Sequence, residues 1–286
     1  MEDNIRKIYK KPMFIWCGID CITLSFLILF TSVACMVLGS PFPRKVEVLF
    51  MEAWEAGWIL SEPYLPYCIG IISYILSGGI RKWQWGKVWS PIRDILYQKC
   101  DADLFLQYSL SGIEYIPNIR EKKFDKMQEY KLKLMYFEIF YVRALNAKGK
   151  YKESLEYLER HWKSYKKKKI FRHLVEETKL KISYEEKNEI SYDKIYRGSV
   201  RTIKKNKVLA AKGLILQKKY DEAIEVLERI PPRYCYEKIE IFYYIAYCYG
   251  QLNNEKKVQE YIGIVIENGN NTMIKEKALE LLKEKN

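Results

Sequence analysis

Lys207–Asn271 opens with KVLAAKGLILQKKYDEAIEVLERIPP and closes with IEIFYYIAYCYGQLNNEKKVQEYIGIVIENGNN. In the first half, Ala210, Ala211 and Gly213 lie among Val208, Leu209, Leu214, Ile215 and Leu216. Apolar positions three and four apart make a helical stripe, and the small residues let a neighbouring helix come close. Gln217–Lys219 is a polar break. A second helix follows from Tyr220, with Asp221 and Glu222 at the positive end of its dipole and Ala223, Ile224, Leu227 and Ile230 inward. Pro231 and Pro232 stop it, because proline has no N–H for the next helical hydrogen bond.

The second half plays the same roles again, about 35 residues on. Phe242, Ile245, Ala246 and Tyr249 stripe one helix, Asn253 and Asn254 form the turn, and Val258, Ile262 and Val265 stripe the next. Gly269 and the asparagines beside it suit a helix exit with positive φ. Thr272–Lys285 reads as a terminal helix with Ile274, Ala278, Leu281 and Leu282 inward and a Lys/Glu outer face.

The order Ala211, Leu214, Tyr220, Ala223, Leu227, echoed by Ala246, Tyr249, Val258 and Ile262, resembles the tetratricopeptide repeat, a helix-turn-helix of ~34 residues. Val258 stands where that family favours a small residue. An earlier unit shows in YVRALNAKGKYKESLEYLERHW, through Leu145, Gly149, Tyr151, Ser154, Leu155 and Leu158. Tyr151 and Tyr220 lie 69 residues apart, two periods of ~34, so a degenerate unit is expected between them, with Tyr184 of SYEEKNEIS at the matching place. The units expected are 136–167, 168–203 (degenerate), 204–236 and 239–271, with a capping helix at 272–285. The resemblance implies a right-handed α-α superhelix that binds proteins or peptides, although a fold alone does not fix a function.

Strand signals are sparse, and the long Lys/Glu/Leu/Ile-rich periodic runs predict an all-α chain. With 49% apolar residues, 286 residues are enough for a sizeable core and one or two domains. The seven cysteines show no Cys-x-x-Cys spacing and read as reduced, buried thiols. Cys17 and Cys21 are one helical turn apart, but the two histidines, His161 and His173, are distant, so no metal or other cofactor is expected.

Met13–Gly39 is long and apolar enough to cross a bilayer, Asp20 being its one carboxylate. An acid at the centre of a span costs roughly 2.5–3.5 kcal/mol, while each Leu, Ile, Phe or Val returns about 0.3–0.6, so insertion wins. Trp58–Ile80 is a second candidate span, followed by Trp83, Trp85 and Trp89 among Arg81, Lys82 and Lys87. Arg6, Lys7, Lys10 and Lys11 precede the first span, whereas the connecting loop has only Arg44 and Lys45 among acids. The positive-inside rule then places both termini in the cytoplasm. Ser32–Cys35 faintly resembles a lipoprotein cleavage site, but the apolar run continues past Cys35, which favours an uncleaved span.

The expected organisation is a membrane anchor at 1–100, with spans at about 13–39 and 58–80, and a helical-repeat domain at 101–286. Between them, Pro91–Lys99 and Ala102–Leu110 read as short helices, Asp101 as an N-cap, Ser111–Asn118 as a loop and Arg120–Lys148 as one long helix.

Asp20 is a candidate intramembrane site, set against a polar contact between the two spans. The formal charge is +13, densest at Lys166–Lys169 and at Lys204, Lys205 and Lys207. Plain solvated helix ends come first as an account of these runs, contact with anionic lipid second, and nucleic acid last, no nucleic-acid motif being present. First helices of such arrays line a concave groove, and by register Arg143, Asn146, Lys205, Lys212, Tyr243 and Tyr247 face it here. Bases at one end and tyrosines at the other suit an acidic, partly aromatic peptide. They do not match the Lys/Asn clamp for a terminal carboxylate that some family members use. No nucleophile–base pair, phosphate loop or metal motif is present, so an enzyme is not expected. The reading is a bacterial-type, membrane-anchored adaptor for an unidentified protein partner. The alternative is a non-catalytic subunit of a transport or envelope complex in which Asp20 acts within the bilayer.

Overall fold

A computed structural model describes Gly86 and residues 89–120, 127–165 and 169–285. The expected spans at 13–39 and 58–80, with Asp20, and Lys166, Lys167 and Lys168 of the basic run lie outside the described residues. Among the described residues, no helix is long and apolar enough to cross a membrane.

The described part is all-helical, as the periodicity predicts. Residues 89–97 are helical. Eleven helices follow: α1 (Ala102–Arg120), α2 (Met127–Ala147), α3 (Tyr151–Tyr165), α4 (Lys169–Glu185), α5 (Glu189–Gly198), α6 (Arg201–Lys204), α7 (Lys207–Leu216), α8 (Tyr220–Glu228), α9 (Cys235–Gln251), α10 (Glu255–Asn268) and α11 (Met273–Lys285). Residues from Pro91 onward belong to one compact unit.

Four hairpins, α2–α3, α4–α5, α7–α8 and α9–α10, share one turn. Each first helix ends on a residue with positive φ: Gly149 (74°), Lys187 (52°), Lys218 (60°) and Asn253 (57°). The next amide then reaches back five residues: Lys150 to the Leu145 carbonyl, Asn188 to Ser183, Lys219 to Leu214 and Asn254 to Tyr249, each at 2.9 Å. This bond satisfies a carbonyl that the helix end leaves bare. The residue after the left-handed one starts the second helix as its N-cap. Asn188 and Asn254 do so with side-chain oxygens, accepting from the Ser191 and Lys257 amides.

The stripes read from the sequence are core. Ala211, Ala223, Leu227, Ala246, Ile262, Val265 and Ala278 are buried in one cluster running from α7 to α11. Leu145, Tyr151, Ser154 and Leu158 are buried in the first hairpin. The first helices form an inner layer in which α2 touches α4, α4 touches α7, α7 touches α9 and α9 touches α11.

Three expectations change. Ser111–Asn118 is not a loop, because α1 runs through it to Arg120 despite the donor missing at Pro117. Gly112 marks a close approach instead: a β-carbon there would collide with the Phe137 ring of α2. Arg120, expected to open the next long helix, is the last residue of α1, and α2 is described from Met127 to Ala147. The degenerate unit turns at Lys187, inside SYEEKNEIS as expected, but Glu189 rather than Tyr184 opens its second helix as Tyr151 and Tyr220 open theirs. Tyr184 lies in the last turn of α4 and packs edge-on against Tyr244 with ring centroids 5.6 Å apart. Asp101 does cap α1, accepting from the Leu104 amide at 3.0 Å. At the exit of α10 the positive φ falls on Asn270.

Candidate functional site

The inner layer carries charged and aromatic side chains at positions where single helices would show a stripe of Leu and Ile. Glu177 and Lys181 are one turn apart on α4 and pair at 2.9 Å. Lys212 of α7 reaches Glu240 of α9 at 3.0 Å. The side chain is 2% exposed, and its ammonium also lies 4.6 Å from the centre of the Tyr244 ring and 5.6 Å from that of Tyr184. The charge is thus held by a carboxylate and two aromatic faces, a geometry that offsets desolvation.

These groups polarise one another. Burial alone raises the Glu240 carboxyl, but Lys212 and Lys181 outweigh it and hold the group below the usual glutamate value. Glu177 goes the same way: burial raises it, and Lys181 and Arg143 lower it further. Lys212 is pulled below the usual lysine value because burial and Lys181 together exceed the help from Glu240. Lys181 faces both Glu177 and Glu240, which more than reverse its own burial and push it up.

Beside this network is a cavity of about 510 Å3. Arg143 and Asn146 of α2, Glu177 and Lys181 of α4, and Tyr236 and Glu240 of α9 line its walls. Exposed Lys205 and Arg233, on the loops before α7 and α9, and exposed Lys207, the first residue of α7, stand at its margin. Five cations and three carboxylates line it, so its field favours an anion. Asn146 is buried; its amide nitrogen donates to the Thr178 hydroxyl at 3.1 Å, and its carbonyl oxygen has no partner among the described residues. Arg143 donates to the Tyr97 hydroxyl at 2.7 Å.

Of the residues assigned to the groove by register, Arg143, Asn146 and Lys205 share this cavity. Lys212 lies behind it, engaged with Glu240. Tyr243 is buried against Tyr244, their ring centroids 5.1 Å apart, while Tyr247 is half-buried in the same cluster; neither lines the cavity. Glu177, Lys181, Arg233, Tyr236 and Glu240, which register alone does not place there, also line it. Glu177 and Lys181 carry an i,i+4 signal, but surface pairs of that kind look the same in a sequence. A second polar cluster joins α2 to α3. His161 Nδ1 lies 3.0 Å from the buried Glu138 carboxylate, and Tyr157 stacks on the imidazole at 4.3 Å. Among the described residues, no group of three or more His, Cys, Asp and Glu side chains could hold a metal ion.

The fold and site define an all-α protein of serial helical hairpins with a charged inner face. Compared with protein-family profiles, curated proteins and solved structures, the chain matches none.

Proposed function

We propose that this chain is a membrane-anchored adaptor whose helical hairpins form a tetratricopeptide-like superhelix that grips an acidic segment of a partner protein. The observation carrying this reading is the cavity enclosed by consecutive inner helices and rimmed by Lys205, Lys207 and Arg233. Serial hairpins with touching first helices support the family likeness, and the apolar stretches at 13–39 and 58–80 support a two-span anchor. In this reading both termini are cytoplasmic, the groove contains no reaction centre, and anionic lipid meets the basic run at Lys166–Lys169.

The test uses exposed residues, because Lys212→Glu would place two carboxylates together inside the core. Full-length chain carrying Lys205→Glu and Arg233→Glu, isolated from membranes by affinity capture, is expected to lose the partners that wild type retains while its helical circular dichroism is unchanged. An unchanged set of partners sinks the groove. Thiol labelling of a single cysteine added after Asn286 in intact cells checks the orientation; labelling from outside overturns the cytoplasmic placement.

A further inference from the structure

The cavity is the remnant of a larger concavity, because the residues just before α1 cross the inner layer. Tyr97 meets α2 through Arg143 and α9 through Tyr236, with ring centroids 6.2 Å apart. It also meets Tyr234, the residue before α9, at 5.5 Å. Arg93 lies over that same Tyr234 ring at 5.5 Å. Leu96, 2% exposed, forms part of the cavity wall. Cys100 is wholly buried in the cluster built by α7 to α11, against which Cys235 at the start of α9 also packs. Immediately beyond, the chain is pinned: the Asn271 side chain accepts from the Ala102 amide at 2.6 Å and donates to Asp101 at 2.8 Å.

We propose that residues 91–101 form a strap seated on the inner face as the chain's own ligand, and that an acidic partner segment binds by displacing it. This rests on the groove reading above. It adds that the groove is self-occupied, and that binding is coupled to the segment leading back toward the N-terminal apolar stretches. The strap has the features of a replaceable occupant. Where it crosses the groove it is held by ring contacts and one hydrogen bond from Arg143, with Ile92, Ile95 and Leu96 buried beside them. Its last residues are fixed more firmly, by buried Cys100 and by hydrogen bonds from Asn270 to the Lys99 carbonyl and from Asn271 to Asp101. It is charge-balanced, with Arg93 and Lys99 against Asp94 and Asp101, so it leaves the cationic margin unneutralised. An acidic competitor gains that attraction and the strap does not. Cys100, at φ 53°, is the bend between the strap and the anchored start of α1.

Cys100 and Cys235, packed in one cluster, supply the test. Full-length chain carrying Cys17→Ser, Cys21→Ser, Cys35→Ser, Cys68→Ser and Cys248→Ala retains only this pair. Diamide, which takes up the two electrons and two protons of the thiols, is expected to join them while the strap is seated. A random Glu/Tyr copolymer serves as acidic probe. At saturation it is expected to slow cross-linking at least about fivefold, because the displaced fraction cannot react. The cross-linked chain is expected to bind the copolymer at least about tenfold more weakly than the reduced chain, and Tyr97→Ala about tenfold more tightly, since a competing occupant lowers apparent affinity by the fraction it blocks.

Three outcomes overturn the strap. If the copolymer at saturation leaves the cross-linking rate unchanged, the strap is not displaced. If the cross-linked chain and Tyr97→Ala both bind the copolymer as the reduced wild type does, the strap is no competitor and the groove reading stands without it. If neither the reduced wild type nor Tyr97→Ala binds the copolymer, the groove reading falls and takes the strap with it. The cross-linked arm needs no substitution in the strap, so a Tyr97→Ala chain that does not fold leaves the comparison intact.

Discussion

Lys212 and Glu240 set the chemistry of the inner face at the residue scale. A lysine side chain 2% exposed is tolerated because a carboxylate lies 3.0 Å from its ammonium and two tyrosine rings close over it. Removing one partner strands the other, at a cost of roughly 3–5 kcal/mol, whereas replacing both with apolar groups of similar size is near neutral. Urea unfolding should therefore show Lys212→Met strongly destabilised and Lys212→Met/Glu240→Leu largely restored; equal losses in both would mean the pair does not couple. Glu177 and Glu240 also predict an acid limb. Both carboxyls lie below their ordinary value in the folded chain, so each adds stability above the unfolded-state value, and that stability is lost as pH falls through the folded one. The urea midpoint should hold from neutrality to about pH 5 and fall below about pH 4, near the reference glutamate value. Glu177→Gln/Glu240→Gln should flatten that fall, and an unaltered slope would assign it to other groups.

The hairpin turn governs the element scale. Four turns use the same left-handed residue, yet only Gly149 and Asn253 are residue types that favour it; Lys187 and Lys218 are not. Lys218→Gly should raise stability by about 0.5 kcal/mol, the relief of roughly 1–2 kcal/mol of left-handed strain less the larger entropy of glycine in the unfolded chain. Gly149→Ala should lower it by more than about 1 kcal/mol, since φ is 74° and the added carbon meets Met273. Thermal melts of the two variants moving in the same direction would contradict a shared turn. The turn also explains what could be read without coordinates. The final two hairpins were legible because small residues, Asn253 and the proline stop all agree. In the middle unit Glu189, not Tyr184, takes the place of Tyr151 and Tyr220, because the left-handed residues follow one another at intervals of 38, 31 and 35 rather than at a constant period. Gly112 misled for a related reason. Glycine signals both a loop and a close helix contact, and only the Phe137 ring distinguishes them. Gly112→Ala is expected to cost about 1–3 kcal/mol by forcing α1 off α2, and a chain of unchanged stability would return Gly112 to an incidental role. Much of the cavity was illegible for a different reason: Glu177, Lys181 and Glu240 look like solvated helix faces until neighbouring helices enclose them.

At the scale of the whole molecule, the two ends of the described unit are joined. Asn271 bonds Asp101 and Ala102, Asn270 donates to the Lys99 carbonyl at 3.3 Å, and Met273 lies under the first hairpin turn beside Tyr151. Open arrays unfold unit by unit from a weak end, but here the last loop caps the first helix. Asn271→Ala removes a cap and should cost about 1 kcal/mol. Hydrogen exchange should show the loss at the first amides of α1 as well as around residue 271, and protection unchanged in α1 would mean the bond is idle. The Ala102–Asn271 bond spans 169 residues. A ribosome making this chain must pass residue 271 before α1 receives this second cap beside that of Asp101, so the order of synthesis runs against the order in which that helix becomes secure. Until then its leading amides are available to whatever attends a nascent chain.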